Sequence, residues 1–105
     1  METDKLIQAL EYEWEDEGGF LWRLRDRSFD AEGAKRLESL LQSISFENID
    51  CIDKRLMQLL WFVPTFLQWC VETFRGISED SNETYYVKQC EGRIQKIFVE
   101  LLGIP

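Results

Sequence analysis

Residues 50–76 read Asp50-Cys51-Ile52-Asp53-Lys54-Arg55-Leu56-Met57-Gln58-Leu59-Leu60-Trp61-Phe62-Val63-Pro64-Thr65-Phe66-Leu67-Gln68-Trp69-Cys70-Val71-Glu72-Thr73-Phe74-Arg75-Gly76. Ile52, Leu56, Leu59, Leu60, Phe62, Phe66, Leu67 and Cys70 recur at helical spacing, with Asn48 or Asp50 placed to cap and Gly76 to stop. The uncharged run from Leu56 to Val71 covers 16 residues and includes Gln58, Pro64 and Gln68. A membrane-spanning helix wants about 20 predominantly apolar residues, so the run reads as a core helix. Unbroken from Asp50 to Arg75 it would be about 39 Å long, whereas a domain of this size has a radius of gyration of about 13 Å. Pro64 removes a helical hydrogen bond and disfavours helical geometry at Val63. The expectation is a kink, or two helices meeting around Pro64.

Working outward, the spacing stays helical. Thr3 is placed to cap a first helix that turns Leu6, Ile7, Leu10 and Trp14 inward and ends at Gly18-Gly19. Phe20 to Arg27 alternates like a strand, but no second period-2 segment exists to pair with it, so it reads as a short helix. Asp30 is an N-cap candidate, with Phe29 and Ala34 forming a staple; Ala34, Leu37, Leu40, Leu41 and Ile44 then share one face. After a polar loop from Gly76 to Glu83, a last helix over about Asn82–Leu102 carries Val87, Cys90, Ile94, Ile97, Phe98 and Leu101, with Gly103 and Pro105 as the stop. The 105 residues therefore predict one domain, all-α, a compact bundle of about five helices with a kinked central pair. Trp61 and Trp69 are expected in the core, and Cys51, Cys70 and Cys90 as buried reduced thiols, consistent with a cytoplasmic protein. The polar acidic start Met1-Glu2-Thr3-Asp4 is unlike a signal peptide.

Catalysis finds little support. The chain has no His, which removes the commonest general base and most metal-ligand sets. Its cysteines lack zinc spacing, and no glycine-rich phosphate loop is present. The expectation is a non-enzyme with no cofactor. Twenty acidic against twelve basic residues give a net charge of −8, a field that repels nucleic acid and anionic membrane and attracts basic partners.

The most informative polar segment is Glu11-Tyr12-Glu13-Trp14-Glu15-Asp16-Glu17, five acids among seven residues. In a helix it sets like charges at i,i+4 and crowds acids at the negative end of the dipole, both unfavourable. One explanation is a solvated surface neutralised by Arg23, Arg25 and Arg27. The other is a docking patch in which the acids steer encounter and Tyr12 or Trp14 anchors the contact. Glu79, Asp80 and Glu83 in the polar loop form a second acidic group that could join it, while Glu47, Asp50 and Asp53 suit capping and first-turn roles.

In size, charge and style, the segment from Glu11 through Gly18-Gly19-Phe20-Leu21, with Phe29-Asp30 and Leu101-Leu102-Gly103-Ile104-Pro105, resembles the small acidic immunity proteins of bacterial toxin–immunity systems, including contact-dependent growth inhibition. Such proteins share no single fold, so the resemblance implies neither fold nor site residues. It implies a basic partner, a toxin nuclease (a ribonuclease before a deoxyribonuclease), whose active-site cleft an acidic surface blocks. The chain would then be a monomer or weak homo-oligomer. The alternatives are a self-associating helical adaptor using Trp22 with Phe20, and a carboxylate-based enzyme.

Overall fold

The computed structural model describes residues 2–47, 49–77 and 82–104, with the side chains of 75–77 outside that description. The chain is all-helical, and among the described residues there is no strand. The helices are α1 (Thr3–Glu15), the six-residue α2 (Phe20–Arg25), α3 (Ala31–Gln42), α4 (Lys54–Ile77) and α5 (Asn82–Leu102). α4 packs most extensively on α5 and also on α1, α5 packs on α3, and α2 bridges α1 to α3. The long helices thus form a circuit that the shortest one closes.

Each helix contributes the apolar stripe its spacing predicts. Leu6, Leu10 and Trp14 of α1, Ala34, Leu37 and Leu41 of α3, and Val87, Cys90, Ile94, Ile97 and Phe98 of α5 are buried. They enclose the longest stripe, Leu56, Leu59, Leu60, Val63, Phe66, Leu67, Cys70, Val71 and Phe74 of α4. Phe20, Leu21 and Leu24 of α2 fill the gap between α1 and α3 and are almost fully enclosed. Phe20 is therefore unable to serve the adaptor patch expected of it with Trp22. Fixing so short a helix requires tertiary packing, because isolated helices below about 12–15 residues are marginal.

Several local expectations are corrected. α4 runs through Pro64 as one helix of 24 residues, not as two. At the standard rise it is about 36 Å long, and the molecule accommodates it by being elongated, 44 × 31 × 20 Å with a radius of gyration of 13.9 Å. A rod is incompatible with a sphere of this volume, but not with this shape. The cap of α4 is Asp53, whose Oδ1 accepts from the Arg55 and Leu56 backbone N–H groups. Asp50 lies upstream of that turn, and Asn48 is outside the described residues. Thr3 is inside α1, with Glu2 at the N-cap; Asp30 holds the N-cap position of α3 as expected, without a side-chain capping bond. The last helix ends as expected: Gly103 adopts φ +78° and its N–H bonds the Val99 carbonyl at 2.9 Å, the left-handed termination that glycine alone tolerates freely.

Trp61 and Trp69 are the largest departures. They are 58% and 59% exposed, not core residues. Both belong to α4, whose apolar content exceeds what its inward stripe can bury. Cys51 is exposed as well, since it precedes the helix; Cys70 and Cys90 are buried.

Candidate functional site

The acidic–aromatic segment of α1 splits into an inner and an outer half. Glu13 is 1% exposed. Its Oε1 accepts from the Phe20 N–H at 3.1 Å, satisfying a backbone donor in the first turn of α2. Its two oxygens also receive the Arg36 guanidinium, Nε at 3.0 Å and Nη2 at 2.7 Å, and the same Nη2 reaches the Gly18 carbonyl. These hydrogen bonds to Glu13 hold the Arg36 pKa above its ordinary value. One carboxylate therefore ties α1 to the start of α2 and to α3. Gly19 makes this possible, because a Cβ there would collide with the backbone carbonyl oxygens of Tyr12 and Glu13.

Trp14 is 8% exposed and its indole N–H donates to the Leu59 carbonyl at 2.8 Å. Glu13 and Trp14 are thus structural residues, not partner contacts as the sequence suggested. Burial removes them from reach, and their polar atoms are already committed. Helical spacing contains the signal: positions 6, 10, 13 and 14 lie on one stripe.

The outer half remains at the surface. Tyr12 is 42% exposed, with the Arg36 guanidinium 5.3 Å over its ring. Asp16 Oδ1 accepts from the Gly18 N–H, and Glu17 is exposed. The like-charge pair Glu11 and Glu15 is bridged by one residue, Arg55, whose Nη2 lies 3.0 Å from Glu11 and 3.1 Å from Glu15. Arg55 comes from α4, so the expected neutralisation by Arg23, Arg25 and Arg27 is corrected. Arg23 instead meets Asp30 at 3.2 Å, while Arg93 of α5 meets Glu38 of α3 at 2.7 Å. Glu83 is exposed in the first turn of α5. Glu79 and Asp80 lie outside the described residues.

Beside this acidic edge lies an aromatic ribbon in which Phe66 is buried as expected, Phe62 is partly buried, and Trp61 and Trp69, expected in the core, are exposed. Phe62 contacts Trp61 (ring centroids 5.2 Å apart), Trp69 (5.1 Å), Phe66 (6.1 Å) and Trp14 (6.0 Å). A shallow depression lined by Trp14, Glu15, Arg25, Arg55, Gln58, Leu59 and Phe62 joins the ribbon to Glu15. The ribbon follows from residues 62, 66 and 69, spaced i, i+4 and i+7. With Trp61 alongside, this α4 face is wider than α1 can cover. That width was readable in the sequence, but which rings it would leave outside was not.

Chemically the face can bind, with exposed indoles for apolar contact and carboxylates for charge. Among the described residues, no three His, Cys, Asp or Glu side chains converge as a metal site. No described helix is long and apolar enough to cross a membrane. Comparison with known protein families, with curated proteins and with solved structures finds no match to this chain.

Proposed function

We propose that this chain is a non-enzymatic inhibitor that binds a basic protein and occludes its active-site cleft, as an immunity protein does to a cognate toxin nuclease, a ribonuclease before a deoxyribonuclease. The observation that carries the reading is two Trp side chains more than half exposed, Trp61 and Trp69, both against Phe62, which shares a depression with Glu15, itself 63% exposed and paired to Arg55. Aromatic side chains this exposed bury only part of their surface in the fold, and Trp is among the residue types most enriched at binding hot spots. The acids of the α1 end, in a chain of net charge −8, would steer a cationic partner and present negative charge where phosphates would otherwise lie. The contact set is thus Tyr12, Glu15, Asp16 and Glu17 with Trp61 and Trp69. The nuclease identity of the partner rests on charge and on the resemblance to immunity proteins.

The test is capture from native lysate by the tagged chain, at low and high salt, followed by nuclease assay of what is retained. The expected result is one basic partner held stoichiometrically, whose nuclease activity this chain suppresses. Trp61→Ala and Trp69→Ala should each weaken it by roughly 30-fold, the effect of a hot-spot residue. A partner without nuclease activity, or one indifferent to both tryptophans, would rule the reading out. Self-association is a second reading, favoured by an uncharged groove of Pro64, Gln95, Phe98, Val99 and Leu102 beside Trp61. If a second copy seats its own Trp61 there, mass should rise with concentration and with salt, because like-charged copies repel less when screened.

A further inference from the structure

A second notch lies at the Trp69 end of the aromatic ribbon, and its charged lining is basic although the chain as a whole is acidic. It is about 220 Å³ in volume and is lined by Arg25, Arg27, Trp69, Phe66, Cys70 and Phe74 among others. No lining residue is acidic. The other arginines described above are each matched to a carboxylate: Arg23 to Asp30, Arg36 to Glu13, Arg55 to Glu11 and Glu15, and Arg93 to Glu38. Among the described residues, neither Arg25 nor Arg27 has such a partner. The Arg25 guanidinium lies within cation–π distance of two rings, its Cζ 5.7 Å from the Trp14 centroid and 5.6 Å from that of Phe66. A cation–π contact engages the charge without a hydrogen-bond acceptor, so the N–H donors remain for one.

Arg27 adds an independent observation. It is the one non-glycine residue at positive φ among those described, φ 63°. The Ser28 N–H bonds the Arg23 carbonyl at 2.8 Å and the Arg27 N–H bonds the Leu24 carbonyl at 2.9 Å. That pair is a Schellman termination of α2, with Arg27 at the position where glycine is normal. An L-residue in the left-handed region carries a steric penalty. Helix-end electrostatics accounts for basic residues in the last turn, Arg23 and Arg25, but does not require a side chain at position 27. A left-handed arginine lining a notch without an acidic wall points to a ligand.

We propose that this notch binds a small carboxylate carried on an aromatic or other apolar group, its charge paired with Arg25 and Arg27 and its ring packed on Trp69. The volume is below the roughly 300–1,000 Å³ of pockets for drug-sized ligands, which suits a single ring and a carboxylate. A nucleic acid phosphate is disfavoured by the net charge of −8. The same chemistry is offered by a free acid or by the terminal Phe of a peptide chain, and the proposal is independent of the inhibitor reading.

The test is NMR titration of the four Trp indole N–H signals, that of Trp69 identified with Trp69→Phe. The probes are phenylacetate, acetyl-Gly-Phe, the neutral phenylacetamide and inorganic phosphate. Saturable shifts of the Trp69 signal are expected with the two carboxylates, and the tighter of them names the source as free acid or chain terminus. Arg27→Gly is the decisive variant, because it relieves the left-handed strain. It should raise the melting temperature by a few degrees and weaken carboxylate binding about tenfold, the effect of one lost charged contact. The proposal is overturned by no saturable Trp69 shift, by equal response to phenylacetamide, by phosphate binding as tightly as phenylacetate, or by unchanged binding in Arg27→Gly.

Discussion

Replacing Arg36 with Met should destabilise this fold far more than its position, nearly half exposed at the surface, suggests. The guanidinium supplies two of the three hydrogen bonds to the Glu13 carboxylate, at 3.0 and 2.7 Å, and the side chain of Glu13 is 2% exposed against 44% for Arg36. Without Arg36, the carboxylate retains only the Phe20 N–H among these three donors. Breaking a fully buried pair costs about 3–5 kcal/mol, and breaking an exposed one about 0.2–1 kcal/mol. Here the anion is buried but the cation side is wet, so the expected loss is about 2–3 kcal/mol, or a melting temperature lower by about 10–20 °C. Glu13→Gln leaves a half-exposed cation that water can solvate and keeps an acceptor for Phe20, so it should cost only about 1 kcal/mol. The double variant Glu13→Gln/Arg36→Met should therefore recover part of the Arg36→Met loss. Urea unfolding followed by Trp fluorescence measures all three, with an unchanged slope confirming comparable end states. An Arg36→Met loss below 1 kcal/mol, or one no greater than that of Glu13→Gln, would refute the view that this pair clasps α1, α2 and α3.

Gly19→Ala should lose about 1–3 kcal/mol in the same assay, the range for inserting a methyl group into filled space, since its Cβ meets the carbonyl oxygens of Tyr12 and Glu13; a neutral outcome would mean that the α1–α2 turn is plastic. Pro64→Ala should stabilise α4 by about 1–3 kcal/mol by restoring the N–H donor toward Leu60, and a loss of stability would show that the proline ring contributes packing worth more than the bond. Thiol labelling at neutral pH should modify Cys51 rapidly and leave Cys70 and Cys90 unreacted until unfolding. Burial pushes the latter thiols up to about 11 and about 12 from an ordinary value of 9.0. Because the unfolded chain ionises first, their contribution to stability is fully present below pH 9.0 and should fall as pH rises from there through about 11 and 12; fast labelling of three thiols in the native state would contradict the burial.

Much of this molecule is local and therefore legible in one dimension. The stripes at 6, 10 and 14, at 34, 37 and 41, and at 87, 90, 94 and 97 gave the inward faces of α1, α3 and α5, because helical periodicity is a property of neighbouring residues. The end of α5 at Gly103 was readable for the same reason. The candidate site was less so. Composition located its acids and helical spacing set Glu13 on the inward stripe, but the partners that hold these acids come from elsewhere in the chain. Glu13 is held by Arg36, 23 residues away, and Glu11 with Glu15 is bridged by Arg55, 40 or more residues away.

Two decisions belonged to the tertiary structure alone. Whether α4 breaks at Pro64 depends on how long the molecule is, and a 44 Å axis allows the helix to continue. Which of its aromatic rings stay in water depends on how many helices pack around it: α5 and α1 cover Leu60, Val63 and Leu67, and leave Trp61 and Trp69 outside. Amphipathic helices around an apolar core in a strongly acidic chain follow from the order of residues alone, because spacing and charge are summed along the backbone. Which Trp rings stay exposed, and the pairing of Glu13 with Arg36 and of Glu11 and Glu15 with Arg55, were settled only by contacts between residues far apart in the chain.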